Sequence, residues 1–290
     1  MAHRLLLDTS SLTYRAFFAL PTSIKAPDGR PINAAHGYLD MTANLARDSH
    51  PDEIVHVFDH DWRPAPRVAA YAGYKSERAP DPEGLPEQFD VLREVLAAFG
   101  MTLAEAPGWE ADDAIATLCA QAGPDDLVDV VTGDRDMFQV VAVGPPRVRV
   151  LFTIKGVSQL GTFDDQAVLD KYGIPADRYA DFAALRGDPS DGLPGVRGIG
   201  EKTARTLIQT YPSIPALLDD VQSQTPRLRA SLDEARDYLA AMEEVVPVRT
   251  SVEVTSQRVA RDDDALDALG ERHRLTNPIR RLREALDAPV

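Results

Sequence analysis

Three mostly apolar runs in the first half of the chain end in aspartate. Leu5-Leu6-Leu7 leads to Asp8, and Ile54–Phe58 leads to Asp59. Leu127–Val131, broken only by Asp129, leads through Thr132-Gly133 to Asp134. Short, nearly continuous apolar runs suit strands buried on both faces, as in a parallel sheet. Amphipathic stretches at about 33–48, 86–99 and 109–122 alternate with them and predict helices. Strand–helix alternation implies an α/β fold with a central, mostly parallel sheet and flanking helices. Ligands of such sheets gather beyond the carboxyl ends of the strands. Three strands delivering aspartate to that edge mark it as the place to look for chemistry.

Beyond these strands the pattern changes. Residues 147–162 alternate loosely around Lys155-Gly156, as in a hairpin. From about 164 the chain reads as wholly helical, with Pro175, Pro194, Pro212 and Pro226 marking breaks. A boundary is therefore expected near 165, separating a core of 1–165 from a helical region of 166–290. Residues 60–86, rich in Pro, Ala, Arg and Tyr, carry no strand pattern, and so long a segment inside a compact domain is functional or disordered. The charged tail from 257 predicts short helices.

Composition narrows the setting. The formal charge of −15 argues against nucleic-acid binding through overall charge, while leaving room for a localised basic groove. The longest apolar runs are strand-sized, so no membrane span is expected, and the N-terminus turns polar too early for a signal peptide. The lone Cys119 excludes an intrachain disulfide and lies in an apolar helical pattern. A cytoplasmic protein is expected.

Acidic residues cluster in GWEADD at 108–113, TGDRDMFQ at 132–139 and GDPSDG at 187–192. Each cluster alone has an ordinary explanation. Acidic residues favour helix N-termini, and aspartates cap turns. Glu110 and Asp113, three apart, share a helix face, with Asp112 about a third of a turn away. Together, however, Asp8, Asp59, Glu110, Asp112, Asp113, Asp134, Asp136, Asp188 and Asp191 can all reach one edge of the inferred sheet. Two carboxylates ~4 Å apart repel by about 1 kcal/mol in water and about 4 kcal/mol at an effective dielectric of 20. Hard dications such as Mg²⁺ or Mn²⁺ relieve that repulsion through oxygen ligands. The six histidines (His3, His36, His50, His56, His60 and His273) are scattered, so no Cys/His zinc spacing exists. With no Ser/His/Asp or Cys/His nucleophile system and no GxxxxGK[ST] loop, hydrolysis at phosphorus assisted by two ions is the simplest chemistry left.

Downstream, LPGVRGIGEKTARTLI (193–208) places Gly195, Gly198 and Gly200 before a helix whose Ala204, Leu207 and Ile208 face inward. Glycines there allow close approach and positive φ, and a helix start can hold phosphate, helped by Arg197, Lys202 and Arg205. A plain glycine-capped connection between helices is the competing explanation. In 60–86, Arg63, Arg67, Lys75 and Arg78 interleave with Trp62, Tyr71 and Tyr74, a mixture suited to single-stranded nucleic acid. Glu77, Asp81 and Glu83 dilute that charge.

LLLDTSSLTYRAF, VFD at 57–59, YKSER at 74–78, GWEADDAIATL, VTGDRDMFQ and GDPSDGLPGVRGIGEKTA, in this order, carry a likeness. Over about 4–255 the chain resembles the structure-specific 5′-nuclease (flap endonuclease) family, and the 5′→3′ exonuclease domain of bacterial DNA polymerase I in particular. The resemblance implies a PIN-like core, a helical arch at about 60–86 and a helix–three-turn–helix element at about 186–210. It implies one metal site from Asp8, Asp59, Glu110, Asp112 and Asp113, and a second from Asp134, Asp136, Asp188 and Asp191. Lys75 and Arg78 match residues that contact the scissile phosphate, and Tyr74 a residue that stacks on a base. Arg15, Arg67, Gly195, Arg197, Gly198, Gly200, Lys202 and Thr203 match positions that contact DNA, with K⁺ at the turn.

Two departures stand out. Thr9 replaces the usual glycine after the first aspartate, and HDWRPAPR is one residue longer than usual before Arg67. The implied activity is Mg²⁺- or Mn²⁺-dependent cleavage at 5′ ends and flaps of DNA, and of RNA primers, in replication and repair. The expected form is a free-standing, monomeric nuclease, since no polymerase module follows. A non-catalytic DNA-junction module is the first rival, opposed by the intact carboxylates. A PIN-type ribonuclease is the second, opposed by the 193–204 turn.

Overall fold

The computed structural model describes residues 2–141 and 144–288. The first part runs β1 (His3–Asp8), α1 (Thr9–Ala19), α2 (Asn33–Ser49), β2 (Glu53–Val57), α3 (Ala65–Ala70) and α4 (Pro86–Ala98). It continues through β3 (Thr102–Glu105), α5 (Ala111–Ala120), β4 (Leu127–Thr132), β5 (Arg147–Thr153) and β6 (Leu160–Phe163). Then follow α6 (Asp165–Tyr172), α7 (Tyr179–Arg186), α8 (Glu201–Thr210), α9 (Ile214–Asp219), α10 (Pro226–Glu234) and α11 (Arg236–Val245). The chain closes with β7 (Thr255–Gln257), α12 (Asp263–His273) and α13 (Thr276–Leu286).

Among the described residues the strands form a 7-stranded sheet in the order β6-β5-β4-β1-β2-β3-β7. The central pairings are parallel, and β6 and β7 add antiparallel edges. Alternate residues of β1 serve opposite cores. Leu6 packs with Val55, Val57 and Val130 on the face covered by α5, α7 and α8. Leu5 and Leu7 pack with Leu39, Leu92 and Leu96 on the face covered by α2 and α4. Burial on both faces is why these strands read as unbroken apolar runs.

The observed elements depart from the sequence expectations in four places. The short β3 adds a strand beside β2. The region after 164 is not wholly helical, because β7 returns to pair with β3. The helix expected from Trp109 begins at Ala111, with Glu110 in extended conformation as its cap residue. Residues 60–86 contain only the six-residue α3 and turns before α4 begins. That segment is seated on the sheet edge, and α3 packs against α11.

The tail folds back on the first half of the chain. α13 lies against α2, where Arg281 forks onto Asp40 at 2.7 and 2.9 Å.

Candidate functional site

Asp8, Asp59 and Asp134 stand at or just past the carboxyl ends of β1, β2 and β4. Adjacent parallel strands with matched registers bring these ends together. The backbone amide of Ser11 donates to Asp8 Oδ1 at 3.0 Å, and the Thr132 hydroxyl donates to Oδ2 at 2.6 Å. Asp59 Oδ1 accepts the Ala111 amide at 2.7 Å, tying the end of β2 to the start of α5. Asp134 Oδ1 accepts the Asp136 amide at 2.8 Å, and Asp188 Oδ1 accepts the Ser190 amide at 2.9 Å. Capping and site-building are therefore compatible: one oxygen of each of these aspartates holds a turn while the side chain stays at the edge.

Asp112, Asp136 and Asp191 line one small cavity of about 10 Å³, roughly the space of one water, together with Arg67, Tyr74, Leu193 and residues of 245–248. Asp136 Oδ1 is buried there without a hydrogen-bond partner. The electrostatics follow from crowding. Burial, aided by Asp59 and Asp134, pushes the Asp8 carboxyl up to about 7 against the pull of its two hydrogen bonds. Burial, then Asp134, Asp8 and Glu110, holds Asp112 well above the usual carboxylate range. Burial and the charges of Asp134, Asp191 and Asp188 do the same to Asp136. Burial raises Asp134, and it raises Asp191 to about 6 although Lys75 and Arg78 pull the latter down. These are the signs of carboxylates buried close to one another.

The chain supplies some of its own counter-charge. Lys75, held at φ +50°, bonds Glu110 Oε1 and lies 3.8 Å from Asp191. Its backbone amide donates to the Asp191 carbonyl at 2.9 Å. Burial alone would lower the Lys75 pKa, but Glu110, Asp191 and Tyr74 raise it well above the ordinary value. Arg78, more exposed, lies 3.7 Å from Asp191. Gly192 permits this approach: a Cβ there would stand 2.5 Å from the Gly73 carbonyl.

Two of the expected DNA contacts fail on placement, and a third expected residue, an acidic one, is paired within the fold. Arg67 is only 3% exposed, and its guanidinium points inward to Glu110 and Asp113, so it presents nothing to DNA. Tyr74, 4% exposed, donates its hydroxyl to Glu110 Oε2 at 2.7 Å and offers no ring face for stacking. Asp113 is fully buried, with both of its oxygens taken by the Arg67 guanidinium. Glu110 and Asp113 do share a face, and Arg67 occupies it. The exposed aromatic of the 60–86 segment is Trp62, at 47%, with the Arg78 guanidinium 6.0 Å from its ring centroid.

Among the described residues no group of three or more His, Cys, Asp or Glu side chains forms a ready ion cage. The donor set nonetheless fits a hard dication, being all oxygen, overcharged and including the unpartnered Asp136 Oδ1.

The turn between α7 and α8 is built from glycine at tight points. Gly195, at φ +68°, has no room for a Cβ, which would fall 2.6 Å from the Arg186 carbonyl. Gly198 also has positive φ, whereas Gly200 is at φ −102°, so the expected left-handed geometry holds for the first two only. α8 starts without a side-chain cap, leaving its first amides open. Arg197 and Lys202 are exposed nearby, Thr203 is half-buried, and Arg205 pairs with Glu201. Arg15 packs beside Gly133, where a Cβ would clash with its guanidinium.

Sequence reading missed Thr132 and Ser11. Thr132 bonds Asp8 and accepts the Asp134 amide at 2.9 Å, while Ser11 Oγ accepts the Gly133 amide at 2.9 Å. A hydroxyl residue ending an apolar strand just before an aspartate was the available signal.

Residues 3–173 match the family described as 5′-3′ exonuclease, N-terminal resolvase-like domain. Residues 174–264 match 5′-3′ exonuclease, C-terminal SAM fold. A 5′-3′ exonuclease of Streptomyces coelicolor is 44% identical, the alignment covering 98% of this chain and 100% of the relative. One from Mycobacterium tuberculosis is 41% identical over 97% of each. The T5 5′-exonuclease, solved with bound divalent zinc ions, has a TM-score of 0.68 at 16% identity, covering 98% of this chain and 100% of that one, a likeness of fold. The chain belongs to the 5′-3′ exonuclease family.

Proposed function

We propose that this exonuclease hydrolyses phosphodiester bonds at 5′ ends and 5′ flaps of DNA, and of RNA primers, during replication and repair. Divalent ions, Mg²⁺ or Mn²⁺, would be held by Asp8, Asp59, Glu110 and Asp112 on one side and by Asp134, Asp136, Asp188 and Asp191 on the other. The observation that carries this reading is the convergence of Asp112, Asp136 and Asp191 on one cavity with Asp136 Oδ1 unpartnered. When bound, such ions acidify an attacking water and offset negative charge developing at phosphorus.

The chain's own groups do the positioning. Lys75 and Arg78, tethered now to Glu110 and Asp191, turn to the scissile phosphate and stabilise its added charge. Trp62, exposed beside Arg78, offers the stacking face that Tyr74 does not. The 193–204 turn grips the duplex through Arg197, Lys202 and the open amides of α8, without reading sequence, and K⁺ is assigned to that turn. Arg15, beside the end of β4, faces the same edge as a DNA contact. The protein acts as a monomer in the cytoplasm.

The test compares 5′-flap duplexes carrying a DNA or an RNA flap, with Mn²⁺ and with chelator. Metal-dependent release of the flap from both is expected. Binding without release would favour the junction-binding module, and cleavage of RNA alone would favour a ribonuclease.

A further inference from the structure

We infer that Asp113 is not a metal ligand but one half of a clamp with Arg67, and that this clamp positions Glu110 and the 60–86 segment over the remaining carboxylates. The inference deepens the divalent-ion reading above and rests on it.

The geometry separates Asp113 from its neighbours. Arg67 Nη2 donates to Asp113 Oδ1 and Nη1 to Oδ2, both at 2.8 Å, a two-pronged pairing that suits guanidinium and carboxylate. The Arg249 amide donates to the same Oδ1 at 2.8 Å. Both side chains are nearly sealed from solvent. One residue earlier on α5, Asp112 lines the cavity with Asp136 and Asp191 instead. Arg67 bonds Asp113 and Glu110 together. Adjacent helical residues lie about 100° apart, so α5 sends one carboxylate into the site and the next into the clamp.

Arg67 does more than neutralise Asp113. Nη1 also bonds Glu110 Oε2, which takes the Tyr74 hydroxyl as well, while Lys75 takes Oε1. The guanidinium carbon stands 5.9 Å from the ring centroids of both Tyr74 and Trp109. Nη2 reaches the Pro247 carbonyl at 3.3 Å. Arg67 therefore joins α3, the start of α5 and the segment leaving α11. Lysine could not replace it, having no fork with which to span two carboxylates and a carbonyl. A fixed cation here compensates Asp113, which bound ions then need not satisfy.

The experiment counts Mn²⁺ per chain by titration calorimetry and follows thermal unfolding and flap cleavage in parallel. Asp112→Asn should lose an ion from the count. Asp113→Asn should keep the wild-type number, with affinity lowered by about ten- to a hundredfold, as expected for a group behind the ligands. Its unfolding temperature should fall. Arg67→Met combined with Asp113→Leu keeps the fold testable, since well-packed apolar pairs often replace buried ion pairs without loss of stability. That double variant should keep the ion count and a near wild-type KM, yet lose about tenfold or more in kcat. Arg67→Lys, although it keeps the charge, should show a similar loss in kcat. Loss of an ion in Asp113→Asn with unfolding unchanged would overturn the clamp alone, as would full kcat in the double variant. A wild-type chain that takes up no Mn²⁺ would overturn the divalent-ion reading, and with it any division of ligands.

Discussion

The Thr132 hydroxyl donates to Asp8 Oδ2 at 2.6 Å while accepting the Asp134 amide at 2.9 Å. One hydroxyl at the end of β4 thus links the aspartates of two adjacent strands. It holds Asp8 buried among like charges, where the carboxyl is pushed up to about 7.

That burial has a pH signature. Between its ordinary value of 3.8 and about 7, folded Asp8 binds more proton than unfolded Asp8. The metal-free protein should therefore lose stability as pH rises through that window and level off above it. The full linkage is about 4 kcal/mol, at about 1.4 kcal/mol per pH unit. Asp8→Asn, giving up one acceptor, should recover about 1–3 kcal/mol at pH 8 in chelator and nothing at pH 4. Thermal unfolding at both pH values measures it. A gain independent of pH would mean that Asp8 is not held against its charge.

Lys75→Ala should slow cleavage by about 10²- to 10³-fold while changing flap affinity little, because its charge is needed most as negative charge develops at phosphorus. Single-turnover rates and binding isotherms on the same flap check this. Equal losses in both would make Lys75 a binding residue only.

Trp62→Ala should weaken single-strand binding by about 1–3 kcal/mol, the usual worth of a stacked base. Tyr74→Phe keeps its buried ring and should leave that affinity unchanged while losing the hydrogen bond to Glu110. With only two tryptophans in the chain, Trp62 and Trp109, quenching of Trp62 fluorescence in a Trp109→Phe background reports the stack directly. Absence of quenching on adding single strand would remove Trp62 from this role.

Arg197→Gln with Lys202→Gln should reduce duplex affinity uniformly across sequences and flatten its salt dependence, by about 0.9 in log–log slope for each phosphate no longer neutralised. Affinity measured from low to moderate salt decides. An unchanged slope would place the duplex elsewhere.

The strand-end aspartates were legible because a parallel sheet buried on both faces leaves a plain apolar run, and such a run ending in Asp stands out. The four-residue β3 was not, since Thr102–Glu105 is too short to carry a period. Nor was β7, which is polar, exposed and stabilised by pairing with an edge that lies far away in sequence. Arg67 and Tyr74 read as outward-facing because a basic and aromatic loop usually is solvated. What draws them inward is the charge of Glu110 and Asp113, more than thirty-five residues further along the chain. Local pattern carries no record of that attraction. Gly200 is a milder case: glycine permits positive φ without requiring it, and the backbone there remains extended.

The most direct test of the account maps products from a 5′-flap duplex incubated with Mn²⁺ and either the wild-type chain or Asp134→Asn. Wild type should release 5′ fragments that vanish with chelator, while Asp134→Asn binds the flap and releases nothing. Undiminished fragments from Asp134→Asn, or from wild type in chelator, would contradict the claim that these carboxylates converge to hold the ions that cut.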